Sequence, residues 1–305
     1  MFAGLAGAEI GGVFRFPHSA ARDWKSLLET AMRDLEAHLN GTTVVLVWDE
    51  LPLMLQKIAR SADSENAMDL LDTLRGLRQT HPGIRMIFTG SIGLHHVVAD
   101  LQAAGHMNDA TNDMRLFEIP ELSDADAADL ARRLLQGEHL HADDTAATVE
   151  ALVTQSNAIP FYIHHVVASM KTHGETASAT LVRSIVADAM VNPQDAWHLQ
   201  HFRDRLTGYY GDERLPVVLK LLDEVAATEN AIGFNELVKR ISGSMRPEQS
   251  AFTRRVVDGD AEALRALLEL LLRDHYLQQA PGTGLYRFRF HLIRHWWCLR
   301  RGLAS

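Results

Sequence analysis

Cysteine is nearly absent from this chain of 305 residues: Cys298 stands alone. One thiol excludes an internal disulfide framework and a cysteine-built zinc cluster, and it fits a reducing compartment. No apolar run approaches the ~18–20 residues that a membrane span needs. The opening Met1-Phe2-Ala3-Gly4-Leu5 has no basic stretch ahead of an apolar one, so it is a poor signal peptide. Positive charge is in deficit. A formal net charge of −9 argues against a general nucleic-acid coat, though not against one local basic face. Apolar content is ample: at 47% hydrophobic and 23% charged, the chain can bury a sizeable core. Its length passes the ~250–300 residues at which single cores stop growing, which implies two or more domains. A cytoplasmic, mostly helical protein without a membrane partner is expected.

The first third alternates strand and helix. The stripe Trp24, Leu27, Leu28, Met32, Leu35 and Leu39 recurs near a 3.6 period and predicts a helix stopped by Asn40-Gly41. A short β-like run, Val13 to Phe16, precedes it. Thr42 to Trp48 is β-branched and then continuously apolar, the pattern of a strand covered on both faces of a parallel sheet. Helices near 53–60 and 64–80 lead to a second buried strand, Ile84 to Thr89. A helix near 92–104 then leads to a third, Arg115 to Ile119. Such alternation implies parallel β-α-β units. From Ser123 the pattern is helical, beginning with a Ser-x-x-Asp capping box at Ser123 and Asp126. Beyond Asn192, helices at 215–227, 235–241 and 261–274 precede a hairpin around Pro281-Gly282-Thr283-Gly284. Helix, helix, helix, hairpin is the order of a winged helix-turn-helix.

The sharpest chemical signal is the strand Val44 to Trp48 ending in Asp49-Glu50. At the carboxyl end of a parallel sheet, one such acid can hold a magnesium nucleotide and the next can orient or deprotonate the attacking water. Strands also end in acids simply because the chain re-enters solvent. A second strand ends in Thr89-Gly90-Ser91, one helical segment later, where a hydroxyl could reach a γ-phosphate or that water. Ser91 could equally cap the helix that follows.

In order, these segments resemble the STAND/AAA+ P-loop ATPases, particularly the archaeal-type ATPase branch. Asp49-Glu50 resembles a Walker B motif and Thr89-Gly90-Ser91 a sensor-1 strand end. Ser156 to Tyr162 is similar to the lid motif whose proline, here Pro160, packs near adenine. The closing Tyr286-Arg287-Phe288 and Arg294 to Trp297 also resemble that branch. The resemblance covers roughly residues 20–300. It implies an α/β class fold: an incomplete parallel sheet with helices over 1–121, a helical lid over 122–191 and a winged-helix domain over 192–305. It implies a nucleotide-dependent switch with Mg-ATP as cofactor. Glu50 and Ser91 would be catalytic, Asp49 would hold Mg, and Thr89 and Pro160 would touch nucleotide.

One departure is large. These ATPases grip the triphosphate with Gly-x-x-x-x-Gly-Lys-Ser/Thr ahead of the Asp-Glu strand. None of Lys25, Lys57, Lys171, Lys220 and Lys239 follows a glycine in that spacing, and Gly4, Gly7, Gly11 and Gly12 have no lysine beside them. Three or four charge-assisted bonds at ~1.5–3 kcal/mol each are thereby missing. Weak ATP binding and negligible hydrolysis follow. Two explanations stand, an N-terminal truncation or a degenerate member working without hydrolysis. Truncation predicts a gap or exposed edges between the Ile84–Thr89 strand and the run near Phe117. The lid departs too, with Asn157 and Ala158 where glycines are usual.

Other candidates are weaker. Neighbouring histidines such as His95-His96 and His164-His165 point about 100° apart on a helix and cannot form an i, i+4 zinc pair. Arg75, Arg78 and Arg85 are arginine fingers by type only. From His275 onward there are five arginines and no acid, yet the apparent recognition helix carries Glu262, Glu269 and Asp274. A groove-reading helix should be less acidic. The alternative function is a non-enzymatic winged-helix regulator binding DNA or a partner protein, with the protein partner favoured.

Overall fold

The chain is described in a computed structural model over residues 9–10, 14–15, 24–61, 63–91 and 93–303. It divides into two compact units between Phe117 and Glu118.

In the first unit, β1 (Glu9–Ile10) pairs antiparallel with β2 (Phe14–Arg15), inside the β-like run. Val13, Phe16, Ile92 and the four early glycines fall outside the described residues. Helix α1 (Trp24–Ala37) follows. Its end is closed by Asn40 and Gly41, both left-handed at φ 46° and 82°. Then come β3 (Val44–Trp48), α2 (Leu51–Ser61), α3 (Ser64–Thr80), β4 (Ile84–Phe88) and α4 (Leu94–Ala103). Asp63 caps α3 by accepting from the Glu65 N–H, and the stripe Ala67, Leu70, Leu71, Leu74 and Leu77 is buried. Strands β3 and β4 run parallel in register, Val44 beside Ile84 and Trp48 beside Phe88.

Two expectations fail here. The strands are not covered on both faces: Leu46, Trp48, Met86 and Phe88 pack toward helical residues, while Val45 and Val47 are 51% and 62% exposed. The residue types were right for strands, but among the described residues helices line only one side. Nor is Arg115 to Ile119 a strand. It is irregular, with Leu116, Phe117 and Ile119 largely exposed. Among the described residues β4 pairs with β3 and with no other strand, so its outer edge is open and the 115–119 run does not reach it.

The second unit is helical: α5 (Asp124–Gly137), α6 (Thr145–Gln155), α7 (Pro160–His173), α8 (Ala179–Val191), α9 (His201–Ala227), α10 (Phe234–Ser244), α11 (Ala251–Val257) and α12 (Ala261–Arg273). The hairpin β5 (Leu277–Gln279) and β6 (Tyr286–Phe288) follows, then α13 (His291–Arg301). Ser123 Oγ accepts from the Asp126 N–H at 3.1 Å, the capping contact read from the sequence. Ile232 bridges to Tyr286, adding a third backbone segment to the hairpin. Helix α11 lies between the expected helices at 235–241 and 261–274, where the sequence pattern predicts none. Helix α9 starts well before 215, and Gly211 breaks it at φ 59°, ψ 173°. One core runs through the unit from Ala127 to Cys298. It includes Trp296 and Trp297.

Candidate functional site: a carboxylate corner at the ends of two parallel strands

Because β3 and β4 are parallel and in register, their carboxyl ends deliver the next residues to one place. The Thr89 N–H donates to the Trp48 carbonyl at 3.0 Å, extending the ladder past both strands. Asp49 and Thr89 then meet: the Thr89 hydroxyl donates to Asp49 Oδ1 at 2.6 Å. The Glu50 N–H donates to that same oxygen at 3.0 Å.

Glu50 takes a left-handed turn at φ 54° before α2 begins at Leu51. A non-glycine residue there costs about 1 kcal/mol or more. The turn brings its carboxylate to Ser91. The Ser91 N–H donates to both carboxylate oxygens, at 3.1 and 3.2 Å, and the Ser91 hydroxyl donates to Oε2 at 2.9 Å. These charge-assisted bonds are each worth about 1 kcal/mol at an exposed site and offset the strained turn. Leu51, 1% exposed, anchors the turn from below, and its N–H donates to the Thr89 carbonyl.

The structure therefore brings Asp49, Glu50, Thr89 and Ser91 together. It does not make Ser91 a helix cap. Gly93 holds that position for α4, without a side-chain cap bond, and the Ser91 hydroxyl serves Glu50 instead. Nor is β3 an interior strand among the described residues. The acids sit on a two-stranded sheet, and Asp49 is exposed.

Pro160 lies in the second unit, in the first turn of α7, where its fixed φ suits a helix start. Asn157 and Ala158 just before it have φ 53° and 55°, a conformation that glycine adopts without penalty. The turn expected of glycines is thus made here by other residues. Asn157 also gains a task that glycine could not perform: its Oδ1 accepts from the Leu292 N–H at 2.7 Å, at the start of α13. Exposed Phe161 packs against His165, with ring centroids 4.3 Å apart and planes tilted by 51°, a pairing the sequence reading passed over. Burial, then the neighbouring His198 and His164, holds the His165 imidazole below its ordinary pKa.

The arginine candidates are engaged locally. Arg78 makes a two-pronged contact with Asp113 and lies over the Phe88 ring, while Arg75 donates to the Asp109 carbonyl. Both tie the 109–113 loop to α3. Arg85 donates to the backbone carbonyls of Pro82 and Ile84. Of the C-terminal arginines, Arg289 faces Glu121, Arg294 donates to the Ala226 carbonyl, and Arg301 grips Asp223. Those three are spent on the fold, which thins the basic bias read from composition.

No protein-family model matches the chain. No curated protein matches it either. Among solved structures it is similar to the Walker-type ATPase PABY2304 of Pyrococcus abyssi, across 91% of this chain and 68% of that one. Identity is 14% and the TM-score is 0.58. That likeness is one of fold alone: a mostly helical chain with, among the described residues, a small parallel sheet.

Proposed function

We propose that this protein is a nucleotide-binding switch of the STAND/AAA+ type, weak in ATP binding and nearly inert in hydrolysis. The observation that carries the reading is the pairing of Asp49 with Thr89 and of Glu50 with Ser91 at the ends of adjacent parallel strands. The oxygen donors of Asp49 and Thr89 suit a hard cation such as Mg²⁺. Bound with a nucleotide, that ion would neutralise phosphate charge. Asp49 would hold it, Thr89 would fix the Asp49 carboxylate, and Glu50 would orient a water. Ser91 would position Glu50. Pro160, with residues 122–191 as lid, would serve the base.

The triphosphate end fits less well, because the sequence has no Gly-x-x-x-x-Gly-Lys-Ser/Thr loop to supply a nest of N–H groups and its lysine. The deciding measurement is calorimetric titration with Mg-ATP. A Kd of about 1 mM or weaker, lost in Asp49→Ala, is expected. Micromolar affinity would contradict the degenerate reading. Binding indifferent to Asp49 would remove the site altogether.

A second reading concerns residues 192–305. The order α9, Ile232 bridge, α10, α12, β5, β6 supports a winged-helix module. The outward residues of α12 include Glu262, Arg265, Glu269 and Arg273. Arg265 is already committed to Glu262 and the Phe234 ring. Such a face favours a protein partner over a DNA groove. A salt-dependent DNA shift lost in Arg287→Ala would reverse that preference.

A further inference from the structure

All-parallel sheets are ordinarily covered on both faces, yet one face of β3–β4 is bare among the described residues. Register places Val45 beside Arg85 and Val47 beside Ile87 on that face, with Val45, Val47 and Ile87 51%, 62% and 48% exposed. Asp49 and Thr89 share the same alternation and extend the face by one step. Along the strands the face therefore reads cation, apolar patch, carboxylate: Arg85 at one end, Val47 and Ile87 in the middle, Asp49 at the other. Among the described residues Arg85 donates to backbone carbonyls and to no carboxylate.

A surface with this sequence of charges is complementary to itself. A second copy, turned about a two-fold axis that lies in the contact plane and crosses the strands, brings the cationic end of one face over the anionic end of the other. The apolar middles then meet. Both charge pairs form at once, as any two-fold contact requires. Stacked sheets stand about 10 Å apart, a gap that an arginine side chain can reach across.

We propose that this face is the contact between two copies of the chain. Val45, Val47 and Ile87 pack across the axis, and each Arg85 is set against the partner's Asp49. The contact needs no nucleotide; it shares Asp49 with the nucleotide reading, and Val47→Asp, which leaves Asp49 in place, tests it apart from that reading.

Sedimentation velocity on the full chain without nucleotide, over a range of concentrations, is the test. The expected result is a concentration-dependent dimer that Val47→Asp converts to monomer. Val47 is exposed in the single chain, so thermal melting of that variant should match the parent. Arg85→Glu should weaken association at least about tenfold at low ionic strength and less at high. The double exchange Arg85→Asp with Asp49→Arg should restore it. If Val47→Asp fails to fold, the Arg85 series decides. A parent that stays monomeric at every concentration overturns the proposal. So does a dimer indifferent to Val47→Asp and Arg85→Glu, which would place the contact elsewhere.

Discussion

The Thr89 hydroxyl donates to Asp49 Oδ1 across 2.6 Å, although 40 residues separate the two in sequence. A parallel pair in register makes that contact a consequence of backbone geometry: each strand ends at the same level, and the next side chains meet. Thr89→Val keeps the shape and removes the donor. It should cost about 0.5–1.5 kcal/mol in urea unfolding and weaken Mg-nucleotide binding by a few-fold. An unchanged titration curve would mean that Asp49 needs no orienting partner.

Glu50 and Ser91 predict a different pattern. Glu50→Gln retains two acceptor sites on one oxygen but loses the charge, while Ser91→Ala removes the hydroxyl and leaves the Ser91 N–H. Each should cost less than about 1 kcal/mol, because the contact is exposed. Glu50→Gly gives up the contacts to Ser91 but relieves the φ 54° turn, and should cost less than Glu50→Ala, which gives up the same contacts and keeps the strain. A large loss in Glu50→Gly would mean that the carboxylate carries more of the turn than argued above.

Burial separates the two sides of the first unit. Leu74 on the inner face of α3 is fully buried, and Leu74→Ala should cost about 2–5 kcal/mol. Val45→Thr on the bare face should stay within about 0.5 kcal/mol. Chemical denaturation of the two variants checks the contrast.

Acid should loosen the second unit. Burial holds His165 and His291 below the ordinary histidine pKa, each helped by a neighbouring imidazole, His198 and His295. The folded state therefore binds fewer protons than the unfolded one near these groups, and stability rises with pH. It is complete above the ordinary value of about 6.5 and is lost as pH falls below it toward the lowered values. Tm should drop on acidification through that window, and the drop should shrink in His291→Gln. A flat Tm would show that neither imidazole is discharged by the fold.

Asn157 offers a sharper double comparison. Asn157→Ala keeps the strained φ and loses the bond to the Leu292 N–H, so about 1–2 kcal/mol should disappear. Asn157→Gly loses the same bond but relieves the turn, and should cost less than the alanine variant. The reverse order would mean that φ 53° holds no strain for glycine to relieve.

Much of this architecture was legible in the residues. The α3 stripe, the Ser123 cap, the Asn40-Gly41 stop and the hairpin around Gly282 each rest on local chemistry, and each is where that chemistry puts it. The meeting of Asp49 with Thr89 was also readable, because two apolar strands separated by helical segments run parallel. What failed was non-local. Continuous apolar residues in β3 promised two covered faces, but cover depends on which other elements arrive. Arg115 to Ile119 has strand-forming residues, yet a strand exists only where it pairs, and this run pairs with neither β3 nor β4. Helix α11 and the first half of α9 were missed because their apolar positions are sparse: α11 buries Thr253 and Val256, and α9 begins with Leu206 and Tyr210 amid polar residues.

Gly211 gives the second unit a joint. Its φ 59°, ψ 173° lies where residues with a Cβ are essentially excluded, although the space around it is open. Upstream, Tyr210 donates to Asp274 and Arg205 to the Tyr276 hydroxyl. Downstream, Val217, Val218, Leu221 and Leu222 are wholly enclosed. The longest helical stretch of the chain is therefore two rods with separate moorings. A residue with a Cβ at the joint would have to abandon this φ/ψ, and the two rods would no longer enter their shared core at the angle they hold here.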